Sequence, residues 1–121
     1  MEHSPRFLAL VEEVKTSISE CSVPELVRWM ASSKHVHLID VREESEYAAG
    51  HAKDAMHIGR GVLERDIEQL IPDVDACIVL YCGGGYRSAL AAENLKRMGY
   101  NEVYSLSGGI RAWRAAELPE Q

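Results

Sequence analysis

The sequence feature that most constrains the fold is a run of apolar residues that ends at a cysteine and three glycines. Residues 77–81 read Cys-Ile-Val-Leu-Tyr, which is the composition of a strand buried in a parallel sheet. Cys82 and Gly83–Gly85 follow, and a pattern of helical spacing resumes at Arg87. The pattern therefore predicts that Cys82 lies in the turn between a buried strand and a helix.

Such a turn gives a thiol unusual chemistry. Three glycines allow the loop to curl tightly and to turn backbone N–H groups inward, and the start of a helix supplies further free N–H groups. A helix N-terminus is worth up to ~2 kcal/mol to an anion, and one pKa unit is about 1.4 kcal/mol, so the helix alone lowers a thiol pKa by about one unit. We expect Cys82 to be largely thiolate at neutral pH, and therefore nucleophilic. The alternative is a small buried hydrophobe in a plain turn.

Composition limits the function classes. A chain of 121 residues makes one domain, and 13 basic against 19 acidic residues give a net charge of −6. That charge argues against nucleic acid and anionic membranes as partners. No apolar run has the length of a membrane span, residues 1–19 lack the features of a signal peptide, and the three cysteines have no disulfide-framework spacing. We therefore expect a cytoplasmic protein.

Strand and helix patterns alternate along the rest of the chain. Strand patterns cover residues 36–40, 55–58, 77–81 and 102–106, and helical patterns cover 5–18, 23–30, 43–49, 62–70, 87–98 and 110–116. This alternation predicts a three-layer α/β/α sandwich with a mainly parallel sheet of about five strands. In the second helix, Val27 and Met30 belong to a stripe that we expect to be buried.

The N-terminal residues 1–17 are expected to form an amphipathic helix that packs on the domain of residues 18–121. Its apolar face carries Phe7, Leu10, Val11, Val14 and Ile18 at helical spacing. The alternative is a surface for a second copy or another partner.

Charged side chains are expected near Cys82. Asp40 ends the strand of residues 36–40 and Arg42 follows two residues later, at the carboxyl edge of the sheet where ligands of open α/β folds bind. Arg60 lies in a loop that either brings a cation to the mouth of the site or has no such role. His35 and His37 have no Cys or His partner at ligand spacing, so we expect no metal site.

These residues together resemble the single-domain rhodaneses, a family of sulfurtransferases. The resemblance runs from about Ile18 to Pro119. It is carried by four motifs, which are Asp40-Val41-Arg42, Glu46-Tyr47 with Gly50-His51, Cys82 to Arg87, and Gly108-Gly109 with Trp113.

The resemblance implies a cysteine that accepts a sulfane sulfur from a small donor, thiosulfate or a persulfide, and passes it to cyanide or to a thiol, which could be a protein thiol. Cys82 resembles the persulfide-bearing nucleophile, and Asp40 and Arg42 resemble the family's charged residues beside it. The loop that cradles the outer sulfur corresponds to Gly83, Gly84, Gly85, Tyr86, Arg87 and Ser88. The chemistry needs no metal or organic cofactor, and we expect a monomer or a weak homodimer.

One departure from the family concerns the donor. Many members carry a basic or long polar residue where this chain has Gly83. With Arg87, and Arg60 as a second candidate, as the cations of the site, we expect thiosulfate to bind weakly and a persulfide to be the better donor.

Two other functions compete with sulfur transfer. Cysteine phosphatases and arsenate reductases also hold a thiolate in a nest of amides, but five residues separate their Cys from their Arg. Here four residues separate Cys82 from Arg87, which suits a single sulfur better than a tetrahedral oxyanion. The second alternative is a rhodanese-like binding or regulatory module without significant turnover.

Overall fold

The structure is a computed structural model that describes residues 3–121. Within that range the chain forms six helices and five strands, which alternate through most of the sequence. In chain order they are α1 (Pro5–Lys15), β1 (Ser19–Cys21), α2 (Val23–Ala31), β2 (Val36–Asp40), α3 (Glu44–Ala49), β3 (Met56–His57), α4 (Leu63–Leu70), β4 (Cys77–Tyr81), α5 (Tyr86–Arg97), β5 (Glu102–Leu106) and α6 (Gly109–Ala115).

The five strands form one sheet in the order β1-β5-β4-β2-β3. All four strand pairs are parallel. β4 occupies the centre, where Asp40 of β2 lies opposite Tyr81 and Cys77 lies opposite Glu102 of β5. All five residues of β4 are buried, as its uninterrupted apolar sequence predicts. The carboxyl ends of β2 and β4 therefore meet at one edge of the sheet.

Helices cover both faces of the sheet, which confirms the predicted three-layer α/β/α sandwich. Ile78 and Leu80 of β4 pack with residues of α4 and α5 in one cluster. Val79 and Tyr81, which point to the opposite face, pack with residues of α2 and α6 in another. Each fully buried side chain of this size contributes about 1.5–3 kcal/mol, so the two clusters hold the sheet between its helices.

The helix α1 adds a further layer on the outer side of α5. Val11 and Val14 are buried against Ala89 of α5, whereas Leu10, expected on the apolar face, is 49 % exposed. The first two residues of the segment 1–17 lie outside the described residues. From residue 3 onward no helix is long and apolar enough to span a membrane.

The structure differs from the sequence-based expectations in three places. β1 is a strand that the sequence analysis missed, and β3 is shorter than the predicted strand of residues 55–58. In α2, Met30 is 41 % exposed and Val27 37 % exposed, so the predicted buried stripe reaches only Val23 and Leu26. A helix that packs on one flat sheet buries a narrower face than its apolar residues suggest.

Candidate active site

The thiol of Cys82 lies in the turn between β4 and α5, as predicted. Its Sγ accepts hydrogen bonds from the backbone N–H of Gly85 at 3.2 Å and from that of Ser88 at 3.4 Å. The Ser88 hydroxyl lies 3.5 Å from the same sulfur. Gly85 has φ +99°, a conformation that other residues rarely adopt, and this turn brings its N–H onto the sulfur. Three polar groups of one turn therefore surround Sγ.

These contacts distinguish Cys82 from the other two cysteines, which are also free thiols. Burial tends to raise the pKa of Cys82, but the Ser88 hydroxyl, the Ser88 and Gly85 amides and the charge of Arg87 together lower it below its ordinary value. Burial raises the pKa of Cys21 to about 12 and that of Cys77 to about 11. Of the three, Cys82 has the surroundings that favour a thiolate.

The Ser88 hydroxyl beside the thiol is itself hydrogen-bonded to a second buried hydroxyl, that of Ser105, which the sequence did not indicate. Ser88 Oγ lies 2.8 Å from Ser105 Oγ, and both residues are fully buried. When Cys82 is a thiolate, it can only accept, so the Ser88 hydroxyl donates to Sγ and accepts from Ser105. Ser105 thus fixes the orientation of the Ser88 hydroxyl. The two serines are 17 positions apart, and only the packing of β5 beside α5 joins them.

The start of α6 holds the first half of the loop. The backbone N–H of Ile110 donates to the carbonyl oxygen of Cys82 at 2.9 Å, and that of Arg111 donates to Gly83 at 3.3 Å. Gly109 has φ +53°, and a Cβ there would collide with the carbonyl oxygen of Cys82 and lie 2.8 Å from that of Gly83. Glycine at 109 therefore permits a close approach of α6 to the loop.

A cavity of about 500 Å³ opens beside Cys82. Its walls come from the loop, from the N-terminal segment, from α3 and from α6. The lining residues are His3, Phe7, Glu46, Cys82, Gly83, Gly84, Tyr86, Arg87 and Arg111. The predicted loop thus divides: Gly83, Gly84, Tyr86 and Arg87 line the cavity, while Gly85 and Ser88 contact Sγ.

Arg87 forms an ion pair that the sequence did not reveal. Its guanidinium donates to both carboxylate oxygens of Glu46, with Nη1 at 2.9 Å and Nη2 at 3.3 Å. This bond raises the pKa of Arg87 and lowers that of Glu46. The sequence marks Glu46 only as part of the family motif, because nothing in its sequence neighbourhood indicates a partner 41 positions away.

Asp40 and Arg42 form a buried ion pair at the end of β2. Arg42 Nη2 lies 2.8 Å from Asp40 Oδ2 and donates to the carbonyl oxygen of Gly50 at 2.7 Å. The Arg42 guanidinium also lies over the ring of Tyr81, the residue before Cys82, at 5.8 Å from the centroid. The pair is therefore connected to the thiol through Tyr81, and neither side chain lines the cavity that contains Cys82.

Arg60 is not brought to this cavity. It pairs with Glu64 at 2.7 Å and lines a separate cavity of about 390 Å³ together with Arg42. Of the two alternatives for Arg60, a cation at the mouth of the site is therefore wrong, because the ion pair with Glu64 of α4 holds its guanidinium at the separate cavity. The cation that the sequence analysis did not consider is Arg111, at the start of α6.

The family model described as the rhodanese-like domain matches residues 22–116. The chain belongs to this family. The family resemblance inferred from the four motifs is thereby confirmed, and the match omits the N-terminal 21 residues that include α1.

Curated members of the rhodanese-like family confirm that the chain is a sulfurtransferase. Thiosulfate sulfurtransferase GlpE of Vibrio cholerae is 36 % identical over 90 residues, which cover 74 % of this chain and 83 % of the relative. Thiosulfate sulfurtransferase GlpE of Shewanella oneidensis is 35 % identical over 101 residues, which cover 84 % and 97 %.

One solved structure extends the similarity over the whole chain. The protein RPA3614 of Rhodopseudomonas palustris, described as a protein of unknown function and possible tyrosine phosphatase, is 29 % identical with a TM-score of 0.87. The match covers 100 % of this chain and 99 % of that protein, so the likeness includes the N-terminal helix.

Proposed function

We propose that this rhodanese-like chain transfers a sulfane sulfur from an anionic donor to a thiol or cyanide through a persulfide on Cys82. The observation that carries the proposal is that Cys82 Sγ accepts hydrogen bonds from the Gly85 and Ser88 N–H groups beside an open cavity. These contacts lower the pKa of Cys82, whereas burial raises the pKa values of Cys21 and Cys77. A thiolate is the form that attacks a sulfur–sulfur bond.

The reaction has two steps. In the first, the Cys82 thiolate attacks the outer sulfur of the donor; a new S–S bond forms at Sγ and the donor's own S–S bond breaks. The leaving group departs with the electron pair, as sulfite when the donor is thiosulfate. In the second, cyanide or an acceptor thiolate attacks the outer sulfur, and Sγ leaves as a thiolate. No external oxidant or reductant is needed, and the free cysteine is regenerated.

The loop around Cys82 serves both steps. The Gly85 and Ser88 amides and the Ser88 hydroxyl stabilise negative charge on Sγ before the first step and after the second. These hydrogen-bond donors are already in place before the reaction, so they need not reorganise as negative charge develops on Sγ. Gly83 and Gly84 line the cavity without side chains, which leaves room for the outer sulfur and the attacking acceptor.

The buried pair of Asp40 and Arg42 is proposed to position the loop rather than to touch sulfur. It holds the end of β2 against Tyr81 and the turn at Gly50. Arg42→Lys keeps the charge but loses the planar fork that binds Asp40 and Gly50. We expect a lower kcat and a shifted pH profile of Cys82 reactivity. Unchanged kcat and an unchanged profile would contradict the positioning role.

The experiment that tests the function is steady-state formation of thiocyanate from thiosulfate and cyanide. Cys82→Ser should abolish turnover, because a serine hydroxyl is neither ionised nor able to carry a persulfide. Cys21→Ser and Cys77→Ser are the matched controls and should retain most activity. Turnover that survives in Cys82→Ser would contradict the proposal, and a folded, active-site-intact protein without turnover would favour the binding-module alternative.

A further inference from the structure

Arg111 lies at the start of α6 and lines the same cavity as Cys82. Its backbone N–H is bonded to the loop at Gly83 O, and its Nη1 lies 3.4 Å from the position that a Cβ on Gly84 would occupy. The guanidinium therefore lies alongside the middle of the catalytic loop. A side chain at position 84 would contact it, and glycine leaves that space free.

The two arginines that line the cavity differ in their pairing. Glu46 and Arg87 pair with each other at 2.9 Å, so that carboxylate and that guanidinium largely neutralise one another. Across residues 3–121, Arg111 has no ion-pair or side-chain hydrogen-bond partner, and it is exposed. Arg111 is therefore the guanidinium of this cavity that no carboxylate of the described residues engages, on a chain whose net charge is −6.

We infer that Arg111 binds the negatively charged end of the sulfane-sulfur donor and makes this site selective for anionic donors. The inference rests on the proposed function, since it names the residue that captures the donor of that reaction. A guanidinium presents a planar fork of N–H groups that matches the paired oxygens of a sulfonate or a carboxylate. Arg111 thus joins Arg87 as a cation of the cavity, whereas Arg60 lies outside it.

Aromatic rings form another part of the cavity lining. The rings of His3 and Phe7 lie 5.4 Å apart, and those of His3 and Tyr86 lie 4.4 Å apart. Together with the volume of about 500 Å³, this aromatic lining leaves space for a donor larger than thiosulfate. The donors that suit this cavity share an anionic group next to a sulfane sulfur. That group stands alone in thiosulfate, and in larger donors it is joined to an organic group that contacts the rings.

The test compares the Arg111→Gln variant with the unsubstituted protein, called the parent, and with the control variant Arg114→Gln. Arg114 lies on the same helix but pairs with Glu120 at 3.1 Å and does not line the cavity. The donors are thiosulfate, a dianion, and benzenethiosulfonate, a monoanion with an aromatic ring, with cyanide as the acceptor. KM and kcat are measured for each donor at low and high salt.

Arg111→Gln should raise the KM for thiosulfate about tenfold, which corresponds to about 1.4 kcal/mol and to the loss of one charged hydrogen bond. The KM for benzenethiosulfonate should rise less, about threefold, because its single charge interacts less strongly with Arg111 and its ring still contacts the aromatic residues of the cavity. The kcat should change little, since Arg111 binds the donor and its transition state alike. Arg111→Lys should recover much of the lost affinity.

The salt dependence gives an independent readout. Added salt should raise the KM of the parent for thiosulfate and change that of Arg111→Gln much less, because screening acts on the charge that the variant lacks. A parental KM in Arg111→Gln, or an equal rise in Arg114→Gln, would overturn the inference while leaving sulfur transfer intact. If the parent transferred sulfur from neither donor, both the proposed function and the inference would be overturned.

Discussion

Removal of the Ser88 hydroxyl should raise the pKa of the Cys82 thiol by about one unit. Sγ is surrounded by this hydroxyl at 3.5 Å and by two amides at 3.2 and 3.4 Å, and Ser88→Ala deletes the hydroxyl alone. A hydrogen bond to a charged group is worth about 1.5–3 kcal/mol, and one pKa unit is about 1.4 kcal/mol. The long contact places the loss at the lower end of that range, which gives about one unit.

The assay is the rate of reaction of Cys82 with a neutral disulfide, 2,2′-dipyridyl disulfide, measured across pH. A higher pKa reduces the thiolate fraction but makes each thiolate more nucleophilic, with a Brønsted coefficient of about 0.4–0.5. Below both pKa values, a one-unit rise should therefore slow Ser88→Ala by roughly threefold. Above both values, the variant should be faster by roughly the same factor. The two rate profiles should cross.

Ser105→Ala is the matched control for this experiment. It keeps the Ser88 hydroxyl near Sγ and removes only its orienting partner at 2.8 Å, so the rise in the pKa of Cys82 should be smaller. Ser88→Ala leaves the buried Ser105 hydroxyl without its partner, which costs about 1–3 kcal/mol of stability, so urea unfolding of both variants is measured in parallel. An unchanged pKa in Ser88→Ala, or a rate reduced by one factor at every pH, would refute the reasoning.

Three further predictions concern the surroundings of the loop. Glu46→Gln removes the carboxylate that neutralises Arg87, so a pH–reactivity profile should show a lower pKa for Cys82 and the KM for thiosulfate should fall. If neither the pKa nor the KM changed, the effect ascribed to the charge of Arg87 would be contradicted. Gly109→Ala should cost roughly 1–3 kcal/mol in unfolding free energy and lower kcat, because its φ of +53° and the loop carbonyls exclude a Cβ. Gly61→Ala, where a Cβ meets nothing within 4 Å, is its control, and an equal effect of both changes would refute the explanation. The chain should not hydrolyse p-nitrophenyl phosphate, because Glu46 engages the guanidinium that a phosphatase needs; measurable hydrolysis dependent on Cys82 would revive the phosphatase alternative.

The sequence predicts the part of the site that is continuous in the chain. The run from Cys77 to Tyr81 indicates a buried strand by composition alone, and three glycines followed by a helical pattern place Cys82 in the turn. All of this information lies within about twenty residues. The capping box of α2 is local in the same way, because Ser22 Oγ accepts from the Glu25 amide, three residues on, at 3.2 Å.

The contacts that tune the site could not be predicted in this way, because they join distant segments. Ser105 reaches Ser88 only because β5 lies beside β4 and under α5, and Glu46 reaches Arg87 only because α3 ends up beside the loop. Arg111 appears in the sequence as an ordinary helix-surface residue. Its position over Gly84 depends on how closely Gly109 lets α6 approach, which no local pattern reports.

The strand β1 could not be predicted from the sequence for the same reason. Ser19–Cys21 has two polar residues in three, and it forms a strand because β5 offers a free edge with which its backbone pairs. Strand formation here depends on the neighbouring strand rather than on intrinsic preference. The Cys21 side chain packs in the cluster between the sheet and the helices α2 and α6, and this burial raises its pKa.

The central claim is that Cys82 carries the transferred sulfur as a persulfide, and the most direct test is an intact mass spectrum of the chain after incubation with donor alone. The account predicts a gain of one sulfur atom, localised by peptide mapping to Cys82, lost on addition of cyanide and absent from Cys82→Ser. Cys77→Ser should still acquire it, because burial raises the pKa of Cys77 to about 11 and keeps that thiol protonated. Sulfur mapped to Cys21 or Cys77, or thiocyanate formation without any persulfide on Cys82, would contradict the account.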